Sequence, residues 1–212
     1  MISIENITYQ YPLSSVPVLK NFSANFEHQE IVAVSGKNGC GKTTLTKLLA
    51  GILRPDKGSI SLDGLDTKDL SLFEIGQKVG YVFQNPARQL FCETVYQEIA
   101  YGLHNIGEKE DLIKEKVNHY LDYFGLAAYR DEYSGNLSQG EKQRLALAAV
   151  LALGTEYLVL DEPTGGLDMQ RRRELGDILC QLRKEIDCGI VLVSHEADFI
   201  ARYADRELVM KK

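Results

Sequence analysis

The chain has 212 residues and a formal net charge of −6, with 44% hydrophobic and 25% charged residues. That is an ordinary globular balance, long enough for one large domain with a real core. The acidic excess argues against a surface that neutralises many DNA or RNA phosphates, although a local loop can still hold one nucleotide.

The N-terminal region, up to about residue 34, reads as strands: ISIENITYQY, VLKNFSANF and IVAV. Leu45, Leu48, Leu49, Ile52 and Leu53 then recur with helical spacing, and Pro55 is expected to end that helix. GSISLD at 58–63 gives another short strand, stopped by Asp63-Gly64. The middle turns helical: about Thr94 to His104, Glu108 to Phe124, and Ser138 to near Gly154. In the last third, YLVL at 157–160 precedes an Arg-rich helix from about Met169 to Glu185. IVLVS at 190–194, a short helix and the strand ELVM follow.

Continuous apolar strands separated by helices predict a parallel sheet covered on both faces, and ligands bind beyond the carboxyl ends of such strands. No run approaches the roughly 18–20 apolar residues of a membrane span. The opening MISIENITYQ lacks the basic and then apolar pattern of a signal peptide, which predicts a cytoplasmic protein. Cys40, Cys92, Cys180 and Cys188 show no metal-ligand spacing, so reduced thiols without a metal cluster are expected.

Gly36-Lys37-Asn38-Gly39-Cys40-Gly41-Lys42-Thr43 follows IVAVS and has the form G-x-x-x-x-G-K-[ST]. The glycines let backbone N–H groups turn toward phosphates, Lys42 reaches the terminal phosphates, and Thr43 offers a hydroxyl to Mg²⁺. The following helix aims its positive end at the same anion. Asp161 and Glu162 end YLVL. One carboxylate there can hold Mg²⁺ through its water shell, and the other can take a proton from an attacking water. Two acids at a strand end are common, and it is the glycine loop that gives them meaning. Ser138-Gln139-Gly140-Glu141 reads plainly as a helix N-cap with an S-x-x-E capping box.

That capping box does not explain the whole string LSQGEKQRLALAA, which resembles the signature motif of ABC ATPases. The resemblance covers nearly the entire chain, with the family's motifs in order. It implies a P-loop NTPase core, an α/β fold of mostly parallel sheet with helices on both faces. An N-terminal antiparallel β region and a helical subdomain are added to it. The implied layout is one domain over 1–212, with a core at about 1–84 and 155–212 and the helical part at about 85–154.

The same resemblance implies ATP and Mg²⁺ as cofactors. Tyr11 stacks on adenine, and the loop from Gly36 to Thr43, with Thr44, holds the phosphates. Thr43, Gln84 and Asp161 serve the metal, partly through water. Glu162, His195, Gln84 and Lys42 are the catalytic set. Two such domains pair head to tail in this family, so Ser138, Gln139, Gly140 and Glu141 would serve the partner's ATP. Asp168 in Gly166-Leu167-Asp168 matches the D-loop. Three positions depart from the usual pattern: Cys40 replaces serine, Gln139 stands within the signature, and the D-loop reads TGGLD.

QNPARQLFCETVYQEIAYGL and SHEADFIARYADRELVM look like segments of energy-coupling-factor and cobalt-type importers. That implies a second ABC ATPase subunit, transmembrane transporter subunits, no nucleic acid, and a peripheral place on the cytoplasmic face of the membrane. The cargo class is vitamins or metal ions. The alternative is a soluble ABC ATPase acting on ribosomes or DNA. Glu98 and Tyr101, after Gln84, are expected where a membrane partner docks, with core packing the competing reading for Tyr101. Cys40 is expected to face solvent as the most reactive thiol; the competing reading is an inert replacement for serine.

Overall fold

Three uninterrupted apolar runs become neighbouring strands of a parallel sheet. In the computed structural model, which describes residues 1–211, these are β3 (Ile31–Gly36), β7 (Tyr157–Asp161) and β8 (Gly189–Val193). With β6 (Val79–Val82) and β9 (Arg206–Met210) they form a five-stranded sheet in the order β6-β7-β8-β3-β9. Leu160 pairs with Leu192 and Val34 with Val193, so the carboxyl ends of β7, β8 and β3 are level.

The two-residue period of each strand divides its side chains between two cores. Ile31, Ala33, Leu158, Leu160, Ile190 and Leu192 face one core, which also holds Val95, Ile99 and Leu103 of α3 (Val95–Asn105). Ile113, Val117 and Leu121 of α4 (Glu110–Tyr123) join it, as do Leu145 to Ala148 of α5 (Gln139–Leu151) and Leu175, Leu179 and Leu182 of α6 (Met169–Glu185). Val32, Val34, Tyr157, Val159, Val191 and Val193 face the other core.

That second core is closed by α1 (Lys42–Leu49), α2 (Leu72–Lys78) and a four-stranded antiparallel sheet in the order β2-β1-β4-β5. Its strands are β1 (Ile2–Tyr9), β2 (Leu19–Phe26), β4 (Lys57–Leu62) and β5 (Leu65–Asp66). The remaining helix, α7 (Ala197–Tyr203), packs on α6. Apolar side chains cover both sheet faces, as runs without polar alternation require.

Two local features differ from the sequence-based expectation. α1 stops at Leu49, not near Pro55, because Gly51 adopts φ 69° and turns the chain. Leu53 N–H then returns to the Lys47 carbonyl at 3.1 Å, and Ile52 is left exposed. α2 and β6 were not anticipated. α2 opens with a reciprocal capping box between Ser71 and Glu74 but buries only Ile75, so it carries little periodic signal.

Candidate active site

The loop after β3 turns on glycines at positive φ, and Gly36 shows why no side chain fits there. A Cβ on Gly36 would lie 2.5 Å from the Met210 carbonyl oxygen and 2.9 Å from Cys40 Sγ. Cys40 is thus directed beneath the loop into the second core, at 3% exposure. The expected reactive, solvent-facing thiol is corrected: its small side chain fills space under the turn. Lys37, Asn38 and Gly39 form the exposed rim.

Lys42 opens α1 and is only 6% exposed. Its ammonium donates to the carbonyls of Gly36 at 2.9 Å and Lys37 at 3.3 Å, and among the described residues no carboxylate forms an ion pair with it. A buried cation without a counter-ion is costly, and a bound phosphate would compensate it. A cavity of about 440 Å³ opens beside it, lined by Tyr11, Asn38, Gly39, Thr43 and Glu162 among others. Tyr11 forms part of its wall, with its hydroxyl 3.2 Å from Thr44 Oγ1 and its ring edge-on to Tyr9. The residues present therefore fit a nucleotide triphosphate.

The carboxylates lie at the end of β7. Asp161 is buried, and burial pushes its carboxyl above the ordinary carboxylate range, partly offset by hydrogen bonds from Thr43 and Tyr81. Thr43 Oγ1 donates to Oδ1 and the Tyr81 hydroxyl to Oδ2, each at 3.3 Å. A buried carboxylate beside a hydroxyl at the phosphate loop is a fitting donor set for Mg²⁺. Glu162 follows with φ 51°, an uncommon left-handed conformation for a residue with a side chain. Gln84 Nε2 donates to its Oε2 at 3.0 Å, and His195 Nε2 lies 2.8 Å from Oε1. The loops after β6, β7 and β8 thus bring Gln84, Glu162 and His195 together. Gln84 meets Glu162 here, not Asp161.

Ser138 caps α5 with the expected box: Glu141 N–H reaches its hydroxyl at 3.4 Å, and Ser138 N–H reaches the Glu141 carboxylate at 2.7 Å. The Ser138 hydrogen bonds hold the Glu141 carboxyl below its ordinary range. Asp168 caps α6 by accepting from Arg171 N–H at 2.8 Å. None of Ser138, Gln139, Gly140, Glu141 or Asp168 lines the nucleotide cavity of this chain.

Glu98, in the segment expected where a membrane partner docks, is a buried wall of the groove there. At 5% exposure, its carboxylate accepts the backbone N–H groups of Phe91 and Cys92. Burial raises its carboxyl above the ordinary range, and those two N–H bonds pull it part of the way back. Tyr101 and Phe91 are the exposed pair, edge-on with centroids 4.9 Å apart, over a groove of about 150 Å³ between α3 and α5.

Sequence reasoning did not single out Tyr81, which bonds Asp161, or Thr46, whose hydroxyl lies 3.3 Å from that of Tyr81. No motif marks them. A second cavity of about 430 Å³ lies between α6 and α7; its Arg172 already pairs with Glu196 at 2.7 Å. His28, Asp63 and Glu156 also approach one another, but Lys78 occupies both carboxylates, at 3.3 and 3.0 Å.

Fold and site together define a P-loop nucleotide hydrolase. The family model described as ABC transporter matches residues 19–165. A putative ABC transporter ATP-binding protein of Pyrococcus furiosus is 44% identical over 210 residues, covering 99% of this chain and 80% of the relative. An energy-coupling factor transporter ATP-binding protein, EcfA of Methanothermobacter thermautotrophicus, is 40% identical over 212 residues, covering 99% and 68%.

Among solved structures, cbiO1 of Clostridium perfringens, part of the ABC transporter complex cbiONQ, aligns with TM-score 0.91 at 35% identity. That alignment covers 99% of this chain and 84% of cbiO1. The ATP-binding cassette MJ0796, a dimer in a post-hydrolysis state with ADP and Pi, aligns with TM-score 0.86 at 25% identity. It covers 100% of this chain and 94% of the neighbour. The chain belongs to the ABC transporter family and is an ATP-binding, ATP-hydrolysing subunit. Among the described residues no helix is long and apolar enough to cross a membrane.

Proposed function

We propose that this chain is the ATPase of an energy-coupling-factor type importer, peripheral on the cytoplasmic face of the membrane, driving uptake of a vitamin or metal ion. The observation that carries the reading is the meeting of Glu162 with Gln84 and His195 beside an uncompensated Lys42. The names of the relatives EcfA and cbiO1 support the transporter type.

In this reading Lys42 and the N–H groups of Gly36 to Thr44 hold the phosphates, and Tyr11 packs on the base. Thr43 and Asp161, with Gln84, would hold Mg²⁺, partly through water. The metal supplies charge neutralisation on the phosphates. Glu162 accepts the proton of the attacking water, with Gln84 and His195 orienting its two oxygens. Ser138 to Glu141 and Asp168, which do not line this chain's own cavity, serve the ATP of a second ATPase subunit, and the dimeric state of MJ0796 supports that arrangement. Closing of the two subunits around ATP then moves the transmembrane partners, which dock at the Phe91–Tyr101 groove.

Affinity purification of the tagged chain from gently solubilised membranes tests the assignment. Recovery of a second ATPase and of membrane subunits, with ATP-dependent uptake after reconstitution in vesicles, is the expected result. Recovery of ribosomes or DNA without a membrane protein would replace it with the soluble reading.

A further inference from the structure

Asp161 is held at both oxygens, but the two holds differ in kind. Thr43, on Oδ1, belongs to the phosphate loop's helix and faces the exposed cavity. Tyr81, on Oδ2, rises from the neighbouring strand β6, whose Val82 pairs with Leu160. The backbone carrying Tyr81 is itself clamped. Gln89 Nε2 donates to the Tyr81 carbonyl at 3.2 Å, and Phe83 N–H donates to Gln89 Oε1 at 3.2 Å. The ring is edge-on to Phe83, with centroids 5.3 Å apart.

Counting hydroxyl protons fixes the direction of this network. Thr46 gives its one proton to the Thr43 carbonyl at 2.9 Å, so it has an oxygen lone pair, not a second proton, for the Tyr81 hydroxyl 3.3 Å away. Tyr81 has one proton for two acceptors, Thr46 Oγ1 and Asp161 Oδ2. A carboxylate is the stronger acceptor, and the proton goes to Asp161.

We propose that Tyr81 is a positioning residue for the metal of the nucleotide site: its phenol pins Asp161 through Oδ2 and keeps Oδ1 on the Thr43 side. The inference rests on the reading that Thr43 and Asp161 hold Mg²⁺. Tyr81 touches neither nucleotide nor water in this scheme. Without it the Asp161 carboxylate is free to rotate or to leave Oδ2 unpaired in a buried place. Second-sphere hydrogen bonds of this kind typically control metal affinity by about 10–100-fold.

Tyr81→Phe removes the hydroxyl and keeps the ring packed on Phe83. Affinity for a fluorescent ATP analogue is measured in EDTA and across a Mg²⁺ titration, and Mn²⁺ bound to the nucleotide complex is counted by electron paramagnetic resonance. The expected result is unchanged affinity in EDTA, with about tenfold more Mg²⁺ needed for half the metal-dependent gain and Mn²⁺ bound correspondingly more weakly. Wild-type metal dependence in Y81F overturns the proposal. Equal loss of affinity with and without metal assigns Tyr81 to packing and overturns it too. Asp161→Asn is measured in parallel: if it leaves metal dependence intact, the metal reading itself fails, whatever Y81F does.

Discussion

His195 Nε2 stands 2.8 Å from Glu162 Oε1 while Gln84 donates to Oε2 of the same carboxylate at 3.0 Å. Both oxygens are thus engaged by loops from the two strands flanking β7, and an attacking water has to displace or join one of these partners. Glu162→Gln is expected to keep ATP affinity while lowering hydrolysis by about 10²–10⁴-fold, the usual range for a lost general base. The variant should also accumulate an ATP-bound dimer in light scattering. Wild-type turnover would remove Glu162 from the chemistry.

His195→Ala should depress turnover more than nucleotide affinity, because the imidazole reaches Glu162 and does not line the phosphate cavity. The double variant with Glu162→Gln should be little worse than E162Q alone, since the two residues act through one contact. Additive losses, or a defect confined to binding, would count against this coupling.

Lys42→Ala separates binding from stability. Among the described residues the buried ammonium has only two carbonyls for partners, so its removal should not lower the melting temperature of the nucleotide-free protein. ATP should then give no thermal upshift, because ligand stabilisation scales with occupancy. An upshift as large as the wild type's would contradict the phosphate role.

Brief maleimide treatment of the folded protein should modify Cys92 and Cys180, which are partly exposed, before the buried Cys40 and Cys188. Burial also pushes the Cys188 thiol up to about 12, leaving almost no thiolate near neutrality. Peptide mapping by mass checks the order; early modification at Cys40 would mean that the loop opens in solution.

Asp63 ties the antiparallel sheet to the central one by accepting from the Met1 amino group at 2.5 Å and lying 3.3 Å from both His28 Nε2 and Lys78 Nζ. Burial alone would raise its carboxyl, but these partners prevail and hold it well below the ordinary value of 3.8. Its contribution to stability is therefore complete above that value and is lost as pH falls through the lower folded value. Asp63→Asn should lower the melting temperature near neutrality by about 2–4 °C, the shift expected for about 1 kcal/mol in a chain of this size. The difference between variant and wild type should shrink in strong acid. A gap that stays constant down to the lowest pH would exclude the ionised carboxylate as its cause.

The central strands and the phosphate loop were legible because their signals are local: unbroken apolar runs and glycine spacing. The Arg-rich helix was read at its observed bounds, Met169–Glu185. β6 escaped because VGYV has only four residues and directly follows α2, whose single buried position gives no period. The orientation of Cys40 was illegible for a different reason. It is decided by what lies under the loop, the Gly36 backbone and the Met210 carbonyl, and Met210 belongs to a strand at the far end of the sequence. Tyr81 likewise acquires its meaning only when β6 pairs with β7.

β3 carries the phosphate loop and is inserted between β8 and β9, with Gly36 paired to Met210 and Ile31 N–H bonded to Asp205 Oδ2 at 2.8 Å. Its flanking strands are synthesised long after it. Until residues 189–193 and then 206–210 have left the ribosome, the strand that carries the loop lacks first both neighbours and then β9. Non-local pairing of this kind forms late. Nucleotide capture is accordingly expected only once β9 is available: a nascent chain arrested before residues 206–210 emerge should show no ATP protection of the loop from proteolysis, however early the G-x-x-x-x-G-K-T stretch has left the exit tunnel.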